Sequence, residues 1–244
     1  MRCLIVIPAR MGSTRYPGKP LVDLAGKPMV QWVYERALAS GIAEQVMIAT
    51  PDREIVEACA EFGAWAELTS HAHMTGTDRL AEVSARIQAE VYINVQGDEP
   101  LVSPASIGAC GRALLDDPQA QVSSVMDICP DEEVDNPNVV KVVTDLKEYA
   151  LYFSRYPVPF ARNPRSGPVY KHVGLYAYGK EALKSFASWA QTPFELTESL
   201  EQLRFLEHGY RIKMARGVAS GPAIDEPGQV EAVVRLLRDK DEEP

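Results

Sequence analysis

The sequence predicts an α/β fold with a mixed, mainly parallel sheet covered by helices on both faces. Two observations carry that prediction. From Cys3 to Pro100, short apolar runs alternate with segments of helical periodicity, the pattern of parallel strands joined by crossover helices. After Pro118 the texture changes to closely spaced strand-like runs separated by Pro, Asn and Gly, which marks an antiparallel or mixed section.

The elements follow in order. Cys3 to Ile7 reads as a buried strand and is followed by a Gly-rich loop. A helix runs from about Pro28 to Ser40, with Val30, Val33 and Ala37 on one face, Pro28 in its first turn and Gly41 at its left-handed C-terminal cap. Val46 to Ala49 is a strand, Glu54 to Phe62 a helix, and Trp65 to Leu68 a strand. Thr77 is expected to cap a helix carrying Leu80, Val83 and Ile87, and Val91 to Val95 is a strand ending in Gln96-Gly97-Asp98-Glu99-Pro100. Further strands are expected at Val122 to Ile128, Val139 to Val143, Leu151 to Phe153 and Val169 to Tyr178. Thr192-Pro193-Phe194-Glu195 has capping-box spacing with Pro at the first helical position, and helical spacing continues through Leu200, Leu203 and Leu206. Arg211 to Leu237 reads as strand, loop and helix. With no repeat or low-complexity linker, residues 1–244 form one unit, with a β-rich subregion at about 120–180.

The chain has 244 residues, 46% apolar and 24% charged, enough to bury a substantial core. Lys and Arg number 25 against 34 Asp and Glu, a net charge of −9, and this acidic balance argues against nucleic-acid and membrane-surface binding, which need a positive field. An anionic ligand therefore has to be met by a local cluster of cations. Cys3, Cys59, Cys110 and Cys129 are too widely spaced for a metal knuckle and read as buried thiols. The first apolar run is too short for a signal sequence and no stretch reaches the length of a membrane helix, so a reducing, cytoplasmic setting is expected.

Pro8 to Pro20 is such a cluster, placed after the first strand, where open α/β sheets bind ligands. Gly12 and Gly18 allow close backbone approach, Ser13 and Thr14 offer hydroxyls, and Arg10, Arg15 and Lys19 supply cations suited to a polyphosphate. The spacing matches neither the P-loop nor the dinucleotide fingerprint. At the end of the Val91 strand, Asp98 is a natural ligand for a hard cation such as Mg²⁺. Asp225, after Ala223-Ile224, is a second carboxylate that could converge on the same ion. His71 and His73, at i, i+2 spacing with no carboxylate triad around them, read as loop rather than metal site.

These segments, with Gly76-Thr77-Asp78-Arg79-Leu80, Asn136-Pro137-Asn138, Tyr149 to Arg155, Lys171-His172-Val173-Gly174-Leu175-Tyr176 and Leu200 to Arg204, resemble the CMP-Kdo synthetase (3-deoxy-manno-octulosonate cytidylyltransferase) family. The resemblance spans residues 4 to about 228. It implies a Rossmann-like nucleotide-diphospho-sugar transferase fold, a homodimer, and a Mg²⁺-dependent reaction joining CTP to an eight-carbon ulosonic acid with release of pyrophosphate, for lipopolysaccharide biosynthesis. The β-rich subregion would then carry sugar binding and dimerisation. By position, Ala9, Arg10, Gly12, Ser13, Arg15, Lys19, Ser70 and Gln96 are implied to bind the nucleotide. Arg79, Gln96, Arg155, His172, Tyr176, Glu201 and Gln202 are implied to meet the sugar acid, and Asp98 and Asp225 the metal, with Lys19 and Arg15 assisting catalysis.

The sequence departs from the family pattern at Ser70 and Ala72, where an Arg and an acid are expected near the cytosine, so these changes bear on base selectivity. Asp78 stands for Glu, and Glu226 for Thr. Other readings are the same chemistry on 8-amino-3,8-dideoxy-manno-octulosonate, a different activating nucleotide, a non-catalytic nucleotide-binding protein, and a nicotinamide-dependent oxidoreductase. The last lacks the G-x-G-x-x-G loop.

Overall fold

The computed structural model describes residues 2–13, 15–73, 75–218 and 220–241; Thr14, one of the loop hydroxyls singled out above, lies outside the described residues. In chain order the elements are β1 (Cys3–Pro8), the short ribbon β2 (Asp23–Leu24) and β3 (Lys27–Pro28), α1 (Met29–Ala39), β4 (Gln45–Thr50), α2 (Arg53–Glu61), β5 (Trp65–Leu68), α3 (Gly76–Arg86), β6 (Val91–Asn94) and α4 (Pro104–Leu115). There follow β7 (Val122–Ile128), β8 (Lys141–Thr144), β9 (Ala150–Ser154), β10 (Tyr170–Gly179), α5 (Lys180–Ser188), α6 (Pro193–Glu198), α7 (Gln202–Glu207), β11 (Ile212–Arg216) and α8 (Val230–Asp241). Among the described residues, no helix is long and apolar enough to cross a membrane.

The main sheet runs β11-β7-β10-β6-β1-β4-β5. Strands β6, β1, β4 and β5 are parallel, β10 is antiparallel to both β6 and β7, and β11 returns parallel to β7. The hairpin of β8 and β9 pairs with the first residues of β10 and curls back, so that the Met214 N–H donates to the Glu148 carbonyl at 2.7 Å. Strands β7, β10, β8, β9 and β11 thereby close on themselves, which is the structural form of the β-rich texture read between residues 120 and 180.

Alternation along β1 divides the core in two. Cys3, Ile5 and Ile7 face Val30 and Val33 of α1, Ile55 of α2 and Ile107 of α4, whereas Leu4 and Val6 face Leu80 and Val83 of α3, with Leu183 and Phe205 in the same layer. A smaller cluster of Leu24, Met29, Trp32, Leu101, Ile224, Val233 and Leu237 holds the C-terminal segment against the loop after β6. Burying each of these large side chains is worth about 1.5–3 kcal/mol, so this third cluster is a strong anchor for the residue after Ile224.

Three expectations are corrected. Helix α3 is capped two residues earlier than expected, by Thr75 rather than Thr77, because Thr75 and Asp78 form the capping box; the Thr75 N–H donates to Asp78 Oδ2 and the Asp78 N–H to Thr75 Oγ1, at 3.1 and 3.2 Å. Pro28 is the extended residue just before α1 rather than part of its first turn, while Gly41 has the expected left-handed φ of 62°. The sequence reading assigned no helix to residues 104–115 or 180–188. In α4, Gly108 and Gly111 lower helix propensity, and Gly111 is there for packing: an added Cβ would lie 2.7 Å from Ile93.

One buried charge organises the β-rich part. Lys141 is fully buried, and its ammonium donates to the carbonyls of Asn136, Val139 and Arg155 at 2.9, 2.6 and 2.6 Å. Burial lowers its pKa, and the three carbonyls replace the water it loses. Lys141→Met keeps the stem but leaves those acceptors unpaired, so a loss of about 2–4 kcal/mol of unfolding free energy is expected in urea titrations. A loss below about 0.5 kcal/mol would contradict this role.

Candidate active site

Three segments meet at the carboxyl edge of the parallel strands. The loop carrying Arg10 to Lys19 leaves β1, the Gln96–Pro100 loop leaves β6, and the segment ending at Asp225 follows β11. Gly97 is required at their junction, since a Cβ there would lie 2.7 Å from the Pro8 carbonyl oxygen. The Ile224 N–H donates to the Asp98 carbonyl at 3.0 Å, which brings Asp225 to the side of Asp98 while Ile224 sits in the third cluster. Gly18, at φ 75°, turns the chain so that Lys19 points back into the same space.

The result is an ion cluster. Lys19 Nζ lies 2.7 Å from Asp98 Oδ2 and 3.7 Å from Asp225 Oδ1, and Arg15 Nη2 lies 2.9 Å from the same Asp225 oxygen. Around it is a cavity of about 320 Å³ whose lining includes Ala9, Arg10, Gly12, Ser13, Arg79 and Gln96. Four basic side chains, Arg10, Arg15, Lys19 and Arg79, thus line the cavity with two carboxylates, a local excess of positive charge in an acidic protein. Such a cavity attracts a polyanion.

His172, Tyr176 and Glu201, with Gln202 next in sequence, form a second group, reached through the first turn of α3. Thr77 Oγ1 donates to Glu201 Oε1 at 2.6 Å and lies 3.3 Å from the Tyr178 hydroxyl. The Tyr178 ring stacks on Tyr176 at 5.7 Å, and Tyr176 lies 5.2 Å from the His172 ring. Burial raises the Glu201 carboxyl above its ordinary value, against the pull of the Thr77 hydroxyl, and pushes both tyrosines well above theirs. Gln202 Nε2 and both polar atoms of the Asn94 carboxamide are sealed from solvent without a hydrogen-bond partner among the described residues. Unpaired amides in a core cost about 1–3 kcal/mol each, which a bound polar ligand or an ordered water would offset.

A search of known proteins fits this geometry. Residues 4–212 match the family model described as cytidylyltransferase. The chain belongs to the cytidylyltransferase family. It is 46% identical over 250 residues to the 3-deoxy-manno-octulosonate cytidylyltransferase of Geobacter sulfurreducens, covering 98% of this chain and 100% of that one. With the protein of the same name from Escherichia coli it shares 43% identity, over 97% of this chain and 96% of that one. The structure of CMP:2-keto-3-deoxy-manno-octonic acid synthetase complexed with CTP superposes with a TM-score of 0.95 at 41% identity, covering 98% and 100% of the two chains. The inositol-1-phosphate CTP transferase from T. maritima, at 15% identity and a TM-score of 0.70 over 100% of this chain and 97% of that one, shares the fold.

In this cytidylyltransferase two implied residues, Arg155 and Ser70, belong to neither the cavity lining nor the second group. The Arg155 guanidinium is engaged by carbonyls: Nε donates to Glu198 O at 2.7 Å, Nη1 to Pro137 O at 3.0 Å and Nη2 to Ser199 O at 3.4 Å. Ser70 is exposed; its N–H donates to Glu82 Oε2 and its hydroxyl accepts from the Ala72 N–H. His73 lines the cavity instead, in the expected loop, with its Nε2 held by Glu82. The sequence reading also passed over Glu99, whose carboxyl is pushed up to about 7 by burial and by the adjacent Asp98 charge. Its place beside Asp98 was the available signal.

The donor set of this cytidylyltransferase suits a hard divalent cation. Among the described residues there is no group of three or more His, Cys, Asp or Glu side chains arranged around a metal position, so the chain offers the carboxylates of Asp98 and Asp225. That is the usual protein contribution to a Mg²⁺ ion whose other oxygen ligands come from a triphosphate and water.

Burial lowers the His172 pKa from 6.5 to about 4. The folded chain therefore resists protonation of this ring, and the stability it contributes is present above pH 6.5 and lost as the pH falls toward 4. His172→Gln is expected to flatten the fall of the urea midpoint across that window, and identical slopes for the two proteins would contradict the assignment.

Proposed function

We propose that this cytidylyltransferase joins CTP to the anomeric hydroxyl of 3-deoxy-manno-octulosonate (Kdo), giving CMP-Kdo and pyrophosphate for lipopolysaccharide biosynthesis. The near full-length identity to proteins of that name supports the reading. The observation that carries it is Lys19 held between Asp98 and Asp225 in a cation-lined cavity. A homodimer belongs to the same proposal, with exposed Leu151, Tyr156 and Phe160 of the β-rich part as apolar surface for it, as does a cytoplasmic setting, with the four cysteines as free, buried thiols.

The reaction is an in-line displacement. The anomeric hydroxyl oxygen bonds to the α-phosphorus of CTP and gives up its proton to water as the bond to the bridging oxygen breaks and pyrophosphate departs. Arg10, Arg15 and Lys19 bind the triphosphate, and Lys19 and Arg15 meet the charge that develops on the leaving group. As those cations turn to phosphate, the Asp98 and Asp225 carboxylates are released, and they are the residues that would hold Mg²⁺. That ion, when bound, would neutralise phosphate charge and lower the pKa of the attacking hydroxyl. Arg79, Gln96, Glu201, Gln202, Tyr176 and His172 orient the sugar acid, a guanidinium suiting its carboxylate and the others its hydroxyls.

Pyrophosphate release from CTP and Mg²⁺ tests the proposal, with Kdo and its 8-amino analogue in parallel and UTP as the nucleotide control. Turnover with Kdo and CTP is expected, falling about 100- to 1,000-fold in Asp98→Asn. Release with neither sugar, or undiminished turnover in Asp98→Asn, would overturn it; preference for the 8-amino sugar would keep the chemistry and replace the substrate.

A further inference from the structure

Alternation along β7 sends Ser123 and Ser124 to opposite faces of the sheet, both fully buried. Ser123 Oγ donates to the Cys110 carbonyl of α4 at 2.7 Å. Ser124 faces the other layer, where β10 departs from regular pairing: Tyr176 is opposite Ser124 but Val173 is opposite Val125, leaving Gly174 and Leu175 as a bulge. Ser124 Oγ lies 2.8 Å from the Leu175 carbonyl oxygen, 3.5 Å from that of Val173 and 3.0 Å from His172 Nε2.

A hydroxyl has one proton to donate and lone pairs with which to accept. Both carbonyls can only accept, and the shorter contact takes the proton, so Ser124 donates to Leu175. Toward His172 the hydroxyl oxygen is then an acceptor, and Nε2 must carry a proton. In a neutral imidazole this leaves Nδ1 unprotonated. The ring is kept neutral near pH 7 by its burial, and Phe153 and Tyr176, each 5.2 Å away, pack against it. Nδ1 makes no hydrogen bond among the described residues.

We propose that Ser124 is a positioning residue that fixes His172 in the Nε2–H tautomer and so presents Nδ1 as an acceptor for a hydrogen-bond donor of the sugar acid. The assignment of the donor to the sugar rests on the proposed function; the tautomer does not. A site built around such an acceptor rejects an analogue that lacks the donor, because the ring nitrogen is then left unpaired. The β10 bulge is what makes this possible, since it turns the Val173 and Leu175 carbonyls toward one hydroxyl.

Long-range proton–nitrogen NMR of the ¹⁵N-labelled full chain tests this, with the His172 signals assigned among the four histidines by their loss in His172→Gln. The wild type is expected to show protonated Nε2 and unprotonated Nδ1 at pH 7. Ser124→Ala is expected to mix the tautomers and raise KM for Kdo about tenfold with KM for CTP within about twofold, and Ser124→Thr to restore both. If Ser124→Ala does not fold, Ser124→Cys, a weaker acceptor, gives the same readout. An Nδ1–H tautomer in the wild type, or an unchanged tautomer and sugar KM in Ser124→Ala, would overturn the proposal. Absence of turnover with any sugar acid would count against the proposed function, with the tautomer still deciding the role of Ser124.

Discussion

The contact on which the site depends is the Lys19 ammonium between two carboxylates. Asp98 and Asp225 come from distant parts of the chain and are brought side by side by the Ile224–Asp98 backbone hydrogen bond and the apolar cluster behind it. Two like charges so placed repel each other unless a cation lies between them. In the resting chain Lys19 fills that position with only 12% of its side chain exposed, and Arg15 covers the outer face of Asp225. In the proposed reaction the same arrangement exchanges partners: triphosphate oxygens would compete for the cations and a divalent ion for the acids.

The rest of the fold serves this junction. Parallel strands β1, β4, β5 and β6 deliver their loops to one edge, and Gly97 lets two of those loops touch. The antiparallel strand β10 crosses the sheet next to β6 and carries His172 and Tyr176, so the cation-lined cavity and the buried polar group share the start of α3. Lys141 and Arg155, whose side chains donate to backbone carbonyls, hold the loop at residues 136–139 and the end of α6 against that group from behind.

Much of this was legible in the sequence because it is local. The strand-and-helix alternation, the cations after β1 and the acid after β6 follow from periodicity and from where ligand loops lie in parallel sheets. The start of α3 was misread because two threonines compete for one cap, and only the partner of each decides: Asp78 closes on Thr75, which frees Thr77 for Glu201. Helix α4 was hidden by glycines whose reason is tertiary, the close approach of Ile93. Arg155 carries a charge that sequence reasoning sends to a carboxylate, whereas the fold surrounds it with carbonyls. Ser124 has no sequence signal of its own; its importance comes from a bulge in the neighbouring strand.

The exchange of ionic partners is most directly tested by calorimetric titration of CTP into the wild type and into the Asp98→Asn/Asp225→Asn double variant, each in chelator and in Mg²⁺. If Lys19 and Arg15 are held by the two acids at rest, the double variant binds metal-free CTP more tightly than the wild type, about tenfold or more for two released cations, and loses the tightening that Mg²⁺ gives the wild type. Metal-free CTP binding no tighter in the double variant, with the Mg²⁺ effect intact, would contradict the account.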